Sequence, residues 1–275
     1  MQESFIKLLA LEDEMGRLPD WLVTATMNIN HPEVLASLRP RETPYERPDV
    51  VMRIWEEIGT ELKKDFFKRG VLGDVDAWAM VLEHQGRGAP HVHIVMWVAE
   101  CPGKGSPEWL NKHNCAELPY PPPPDATGEA ADQQRRLCDL VGKLMIHRCN
   151  DESPCMVDGR CSKRFPKQFS EQTVVGQGTY PIYRRRAPPG DDELPVDPNL
   201  GDDDQVQYRR RPPVPANTVA LTPEERARYG NTVRRRVGNT EHEYDNSRVV
   251  PYNPSLLLKY EMHINVEYVL SLIHI

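Results

Sequence analysis

The run His91-Val92-His93-Ile94-Val95-Met96-Trp97-Val98 restricts the possible folds of this chain more than any other stretch. Side chains alternate along a β-strand. His91 and His93 therefore share one face, while Val92, Ile94, Met96 and Val98 cover the other. The apolar face has to be buried, and helices packed on a sheet are the simplest way to bury it. The segment before it, about 75–85, also reads as a strand and ends in Glu83 and Gln85, again on one face. The turn-forming Gly86-Arg87-Gly88-Ala89-Pro90 joins the two into an antiparallel hairpin. Two imidazoles at this spacing can hold one divalent ion, with Glu83 or Gln85 as a third ligand across the hairpin. Mixed nitrogen and oxygen ligation suits Mg²⁺ or Mn²⁺ in a phosphoryl-transfer site. Two histidines lying on an exposed sheet face satisfy the same spacing, and from spacing alone both readings stand.

The rest of the chain supplies partners for that hairpin. Residues 1–20 carry Phe5, Leu8, Leu9 and Met15 at helical spacing, with Gly16 as the stop. Trp21–Met27 is rich in strand formers. Asp49 is placed to cap a helix with Val51, Ile54, Trp55, Ile58, Leu62 and Phe66 on one stripe, ending at Gly70. A proline run at 121–124 is a loop, and a second amphipathic helix is expected over 129–147. The pattern is α+β, a central antiparallel sheet with helices against it.

From 187 to 245 the chain is loaded with Pro, Gly, Asp and Arg and shows no sustained apolar period. We expect most of it to be disordered, with one short helix over Thr222–Tyr229. Apolar character resumes after residue 245, and residues 246–269 are expected to return to the core. The core region proper is then 1–186, and its Cys-rich block is 145–169. A chain of 275 residues is long enough for one such domain without staples.

No apolar run approaches bilayer length and the N-terminus lacks the regions of a signal peptide, so the sequence reads as soluble and intracellular. In that setting the crowding of three of the six cysteines between Cys149 and Cys161 favours metal over disulfides. His147, Cys149, Cys155 and Cys161 form a candidate tetrahedral zinc set, with Cys115 and Cys138 as substitutes. Four reduced, partly buried side chains are the alternative. Cys101 reads as a plain thiol.

A net charge of −7 argues against nucleic acid as a partner, but local sign governs a groove that holds phosphates. Lys163, Arg164, Lys167 and Arg184–Arg186 lie among Phe165, Phe169, Tyr180 and Tyr183. Cations that follow a backbone and rings that stack on bases make a single-stranded DNA groove; such runs also occur as solvated faces. Arg87, beside the histidine hairpin, is a further phosphate candidate.

Residues 83–98 (EHQGRGAPHVHIVMWV) resemble the two-histidine motif of HUH endonucleases, in the form found in Helitron transposases. Residues 20–32 (DWLVTATMNINHP), 145–169 (MIHRCNDESPCMVDGRCSKRFPKQF), 180–186 (YPIYRRR) and 248–267 (RVVPYNPSLLLKYEMHINVE) are similar to further blocks of that family, in the same order. The resemblance implies a Rep-like fold with the histidine strand central in an antiparallel sheet, and a Cys-rich, zinc-binding-like insertion. It implies that His91 and His93, with Glu83 or Gln85, bind the ion used to cut single-stranded DNA through a 5′-phosphotyrosine. It also implies a helicase domain after this one in full-length members and a nuclear location in a eukaryotic host.

In the family, two tyrosines a helical turn apart follow the block matched by His263–Glu267. The chain has eight residues beyond Glu267, and the last six, 270–275, read as a translated sequencing adapter. We therefore expect the catalytic tyrosine pair to be missing and the first helix to start at an internal position of the family's own. Tyr252, Tyr260 and Tyr268 are expected to be packing residues. No Walker A loop is found; Gly103-Lys104-Gly105-Ser106 lacks its spacing. Val95, two residues after His93, stands where a histidine-triad hydrolase needs another histidine. The two readings carried forward are a nicking and joining enzyme domain and a non-catalytic, zinc-stabilised single-stranded DNA-binding module.

Overall fold

The computed structural model describes residues 11–84, 89–176, 180–188, 230–237 and 240–270. They fall into two compact units. The first comprises Met1–Cys115, Thr173–Ile182 and Pro251–Ile275, and the second Ala116–Gln172 and Tyr183–Val250.

The first unit is built on a four-stranded antiparallel sheet. Its strands are β1 (Trp21–Thr26), β2 (Val75–His84), β3 (Pro90–Val98) and β8 (His263–Tyr268), in the spatial order β2-β3-β1-β8. The alternation read from the sequence is what divides its faces. Val23, Ala25, Val92, Ile94, Met96, Val98, Ile264 and Val266 point into the main core. Helix α2 (Pro48–Phe67) covers them with Val51, Ile54, Trp55, Ile58, Leu62 and Phe66, the stripe expected from its spacing. Each such side chain, fully buried, stabilises the fold by about 1.5–3 kcal/mol. The helix starts two residues earlier than expected. Pro48 takes the first helical position, which needs no N–H, so Asp49 falls in the first turn and bonds the Arg47 guanidinium instead of capping. Gly70, at φ 60, lies just beyond the helix end.

Shorter helices in this unit include α1 (Pro32–Ala36), α3 (Pro107–His113) and α5 (Pro254–Tyr260). Trp109 and Leu110 of α3, and Leu256 and Tyr260 of α5, extend the same core. On the opposite sheet face Val95 and Trp97 are packed by Leu11 and Met15 from the end of a helix that stops at Gly16, φ 63. Among the described residues, that cover lies on Val95 and Trp97.

The second unit carries helix α4 (Glu129–Leu144), which ends three residues before the expected limit. It also holds the small hairpin β4 (Met156–Val157) and β5 (Arg160–Cys161), and the ribbon β6 (Thr232–Val237) and β7 (Thr240–Asp245). The ribbon lies at the end of the 187–245 segment, for which no strand was expected. Register pairs Arg234 with Glu243 and Arg236 with Glu241, and an Arg234–Glu243 ion pair closes at 3.4 Å. Opposite charges across a ladder stabilise a strand pair that has little apolar content. The expected helix over 222–229 lies outside the described residues.

Candidate metal centres

The histidine strand does what its alternation requires. In the antiparallel register His91 sits between Glu83 of β2 and Thr26 of β1, and His93 between Val81 and Thr24. Thr26 in turn faces His263 of β8, and Thr24 faces Asn265. Residues directly opposite in a ladder lie on one face, so this half of the sheet presents a row of polar side chains.

Within that row the imidazoles converge. Their Nε2 atoms are 3.1 Å apart, and the rings meet edge to face with centroids 4.6 Å apart. The Nδ1 atoms point to β1. His91 Nδ1 is 2.7 Å from Thr26 Oγ1, and His93 Nδ1 is 3.3 Å from Thr24 Oγ1. A Glu83 carboxylate oxygen lies 3.9 Å from His93 Nε2.

This donor set fits a hard divalent ion. Two ligands at about 2.1 Å from an octahedral ion, at right angles, are about 3.0 Å apart. With neither a shared proton nor a cation between them, two Nε2 lone pairs held this close would repel. His91 is pushed below the ordinary imidazole pKa, chiefly by burial and also by His93, against an opposing pull from Glu83. It is therefore biased toward the neutral form that a metal needs. Of the expected ligands, the fold brings together His91, His93 and Glu83. Gln85 and the phosphate candidate Arg87 lie outside the described residues.

The three tyrosines of the C-terminal block are packing residues. Tyr252 is buried, and its backbone exchanges hydrogen bonds with Cys115. Tyr260 is buried and donates its hydroxyl to Asp65. Tyr268 packs edge-on against Trp21 and Trp109, and its hydroxyl is pushed up to about 12, by burial first and then by Asp20 and Glu100. Register pairs Tyr268 with Trp21, at the far end of β1 from Thr26 and the histidines.

The second cluster lies wholly in the second unit. One ligand atom from each of His147, Cys149, Cys155 and Cys161 falls within 4.8 Å of the others, so the four can hold a metal ion. His147 Nε2 is 3.6 Å from Cys155 Sγ and 3.3 Å from Cys161 Sγ. A tetrahedral zinc with bonds of about 2.3 Å to sulfur and 2.0–2.1 Å to nitrogen sets that separation near 3.5 Å.

The surroundings suit thiolate ligands. Burial raises the Cys161 thiol, but backbone N–H groups of Phe165 and Lys163, with Cys155 and Cys149, hold it below the ordinary value. Burial and the neighbouring Cys161 raise Cys155. Arg248 donates to Cys149 Sγ at 3.3 Å. Burial, then Arg248, Lys167 and Lys163, lowers the His147 pKa, which favours the neutral ring a metal needs. Phe165 stacks on the His147 ring at 4.3 Å and fixes its plane. The substitute ligands stand elsewhere: Cys115 is paired with Tyr252, and Cys138 donates to the Pro119 carbonyl, its thiol pushed up to about 11 by burial.

The basic residues divide. Lys163 and Arg164 are exposed beside the cysteine cluster. Lys167 lies over the Phe165 ring at 5.1 Å. Arg185 corrects the DNA-contact expectation: it is 3% exposed, and its guanidinium donates to the carbonyls of Ala116, Asn246 and Val249. Arg184 and Arg186 close on the buried Glu117 carboxylate at 3.1 and 2.7 Å. That triplet organises the second unit before it serves any ligand.

Sequence reasoning missed Thr24 and Thr26. The alternation in Trp21–Thr26 places both opposite the core face, but nothing in the sequence shows that β1 lies beside β3. Among the described residues no helix is long and apolar enough to cross a membrane. Residues 1–96 match the family described as the Helitron helicase-like domain at the N-terminus. No curated protein matches the chain.

Proposed function

We propose that this chain, whose residues 1–96 match the Helitron helicase-like N-terminal family, is the DNA-processing part of a Helitron rolling-circle transposase, working on single-stranded DNA in the nucleus of a eukaryotic host. The observation that carries the reading is the 3.1 Å approach of His91 and His93 Nε2 with Glu83 alongside. His91, His93 and Glu83 would hold Mg²⁺ or Mn²⁺, which when bound supplies charge to polarise a phosphodiester. The protein's own contribution is to present those ligands from paired strands, where the sheet fixes their spacing, and to leave that end of the face to the DNA strand. His147, Cys149, Cys155 and Cys161 would hold a structural zinc that shapes the second unit. Lys163 and Arg164 would then follow the DNA backbone. A helicase domain is the expected neighbour in the full-length protein.

A second reading has a specific observation in its favour. Tyr252, Tyr260 and Tyr268 are all engaged in packing, so none of the three is poised to attack a phosphate at the histidine pair. On that reading the chain by itself binds single-stranded DNA without cutting it. Incubation with a labelled single-stranded oligonucleotide and Mn²⁺ tests both. Ion-dependent binding that weakens in His91→Ala/His93→Ala, with no covalent protein–DNA band, is expected. Ion-independent binding unaffected by the double substitution would remove the proposed function. An adduct mapped to Tyr252, Tyr260 or Tyr268 would remove the second reading.

A further inference from the structure

We propose that Thr24 and Thr26 are positioning residues for the ion site, fixing which nitrogen of each histidine meets the metal. The inference rests on the reading of His91 and His93 as ion ligands and adds to it a pair of residues on a different strand.

An imidazole has two chemically similar nitrogens, and an isolated histidine on a strand can offer either. A neutral ring binds a metal through the nitrogen that carries no hydrogen, so ligation by Nε2 requires the hydrogen to sit on Nδ1. That hydrogen needs an acceptor. For His91 the oxygen placed to accept it is Thr26 Oγ1 at 2.7 Å, and for His93 it is Thr24 Oγ1 at 3.3 Å. Both hydroxyls come from β1, the neighbour of β3, and each lies directly opposite its histidine in the ladder. One register therefore sets both contacts.

The residue type matters as much as the position. Threonine is branched at Cβ, so few χ1 states are open to it on a strand, and its hydroxyl is aimed before any ion arrives. Valine has the same shape without the oxygen. Serine keeps the oxygen but loses the stiffness. Strand propensity alone explains neither hydroxyl pointing at an imidazole, since Val23 and Ala25 of the same strand serve the core. The shorter contact is to His91, and Thr26 is accordingly the stronger of the two. Partners that orient metal-bound histidines typically change affinity by about 10–100-fold when removed.

The test uses the full chain and two measurements. In metal-free protein, ¹⁵N–¹H spectra of the imidazoles report which nitrogen carries hydrogen. Mn²⁺ titration reports affinity. Wild type is expected to show His91 with hydrogen on Nδ1. Thr26→Val is expected to lose that preference and to bind Mn²⁺ about 10-fold or more weakly, and Thr24→Val to show a smaller loss. Thr26→Ser is expected to keep the tautomer and most of the affinity, which a general packing role for Thr26 would not produce. Unchanged tautomer and affinity in Thr26→Val would overturn the proposal and leave the ion site standing. Failure of wild type to take Mn²⁺, or equal uptake in His91→Ala, would overturn the ion site and this proposal with it.

Discussion

Tyr260 donates its phenolic hydrogen to the Asp65 carboxylate, joining helix α5 to helix α2 inside the core of the first unit. The same carboxylate takes Lys259 at 2.6 Å and Arg69, so one buried acid gathers three donors. Burial, then hydrogen bonding to Asp65, raises the Tyr260 hydroxyl far above its ordinary value. That hydroxyl ties two helices together inside the core.

Asp65 should make stability depend on pH. Burial works to raise its pKa, but bonds from Lys259, Tyr260 and Arg69 hold it below the ordinary carboxylate value. A depressed folded-state pKa contributes stability that is present above the unfolded value, near 3.9, and is lost as pH falls through the folded one. Asp65→Asn is expected to lower stability at neutral pH by about 2 kcal/mol, since Lys259 and Arg69 are half exposed and screened. It should also flatten the acid limb. Urea unfolding of both proteins between pH 3 and 7 checks this; parallel curves would show that Asp65 is not the group responsible.

The cysteine cluster should hold about one zinc per chain as purified. A His147→Ala/Cys155→Ala pair is expected to lose that zinc and to unfold at lower temperature, because a structural ion contributes its binding energy to folding. Elemental analysis with a thermal melt reads both. Zinc content and melting unchanged in the pair would rule the site out.

Arg185 and Lys163/Arg164 should separate cleanly. Arg185→Ala leaves three buried carbonyls short of a charged donor and is expected to cost about 2–3 kcal/mol of stability. Lys163→Ala/Arg164→Ala should leave stability within about 0.5 kcal/mol. It should weaken single-stranded DNA binding and reduce the slope of log affinity against log salt by about 1.4, at about 0.7 per phosphate contact. Binding measured at several salt concentrations decides it, and an unchanged slope would exclude these two residues from the DNA path.

The parts of this fold legible in the sequence are those that depend on local pattern. The period-two run His91–Val98 determines both its own face assignment and the burial of its reverse. The stripe on α2 is equally local, and so is the cysteine cluster, whose ligands span only residues 147–161. The unreadable parts depend on which elements become neighbours. Thr24 and Thr26 acquire a role only because β1 docks beside β3. Arg185 looked like its neighbours in a basic triplet, yet it is the one buried, held by carbonyls from Ala116, Asn246 and Val249. The β6–β7 ribbon was hidden because its strands pair through charge, which by composition resembles an unfolded chain.

The ion site can be seen directly. Crystals of the full chain grown with Mn²⁺, with data collected near the manganese edge, should show one anomalous peak about 2.1–2.2 Å from both His91 Nε2 and His93 Nε2, with Glu83 in the ligand shell. A peak confined to the Cys149–Cys155–Cys161 cluster, or none at the histidines with both rings ordered, would contradict the metal-binding role on which the proposed function stands.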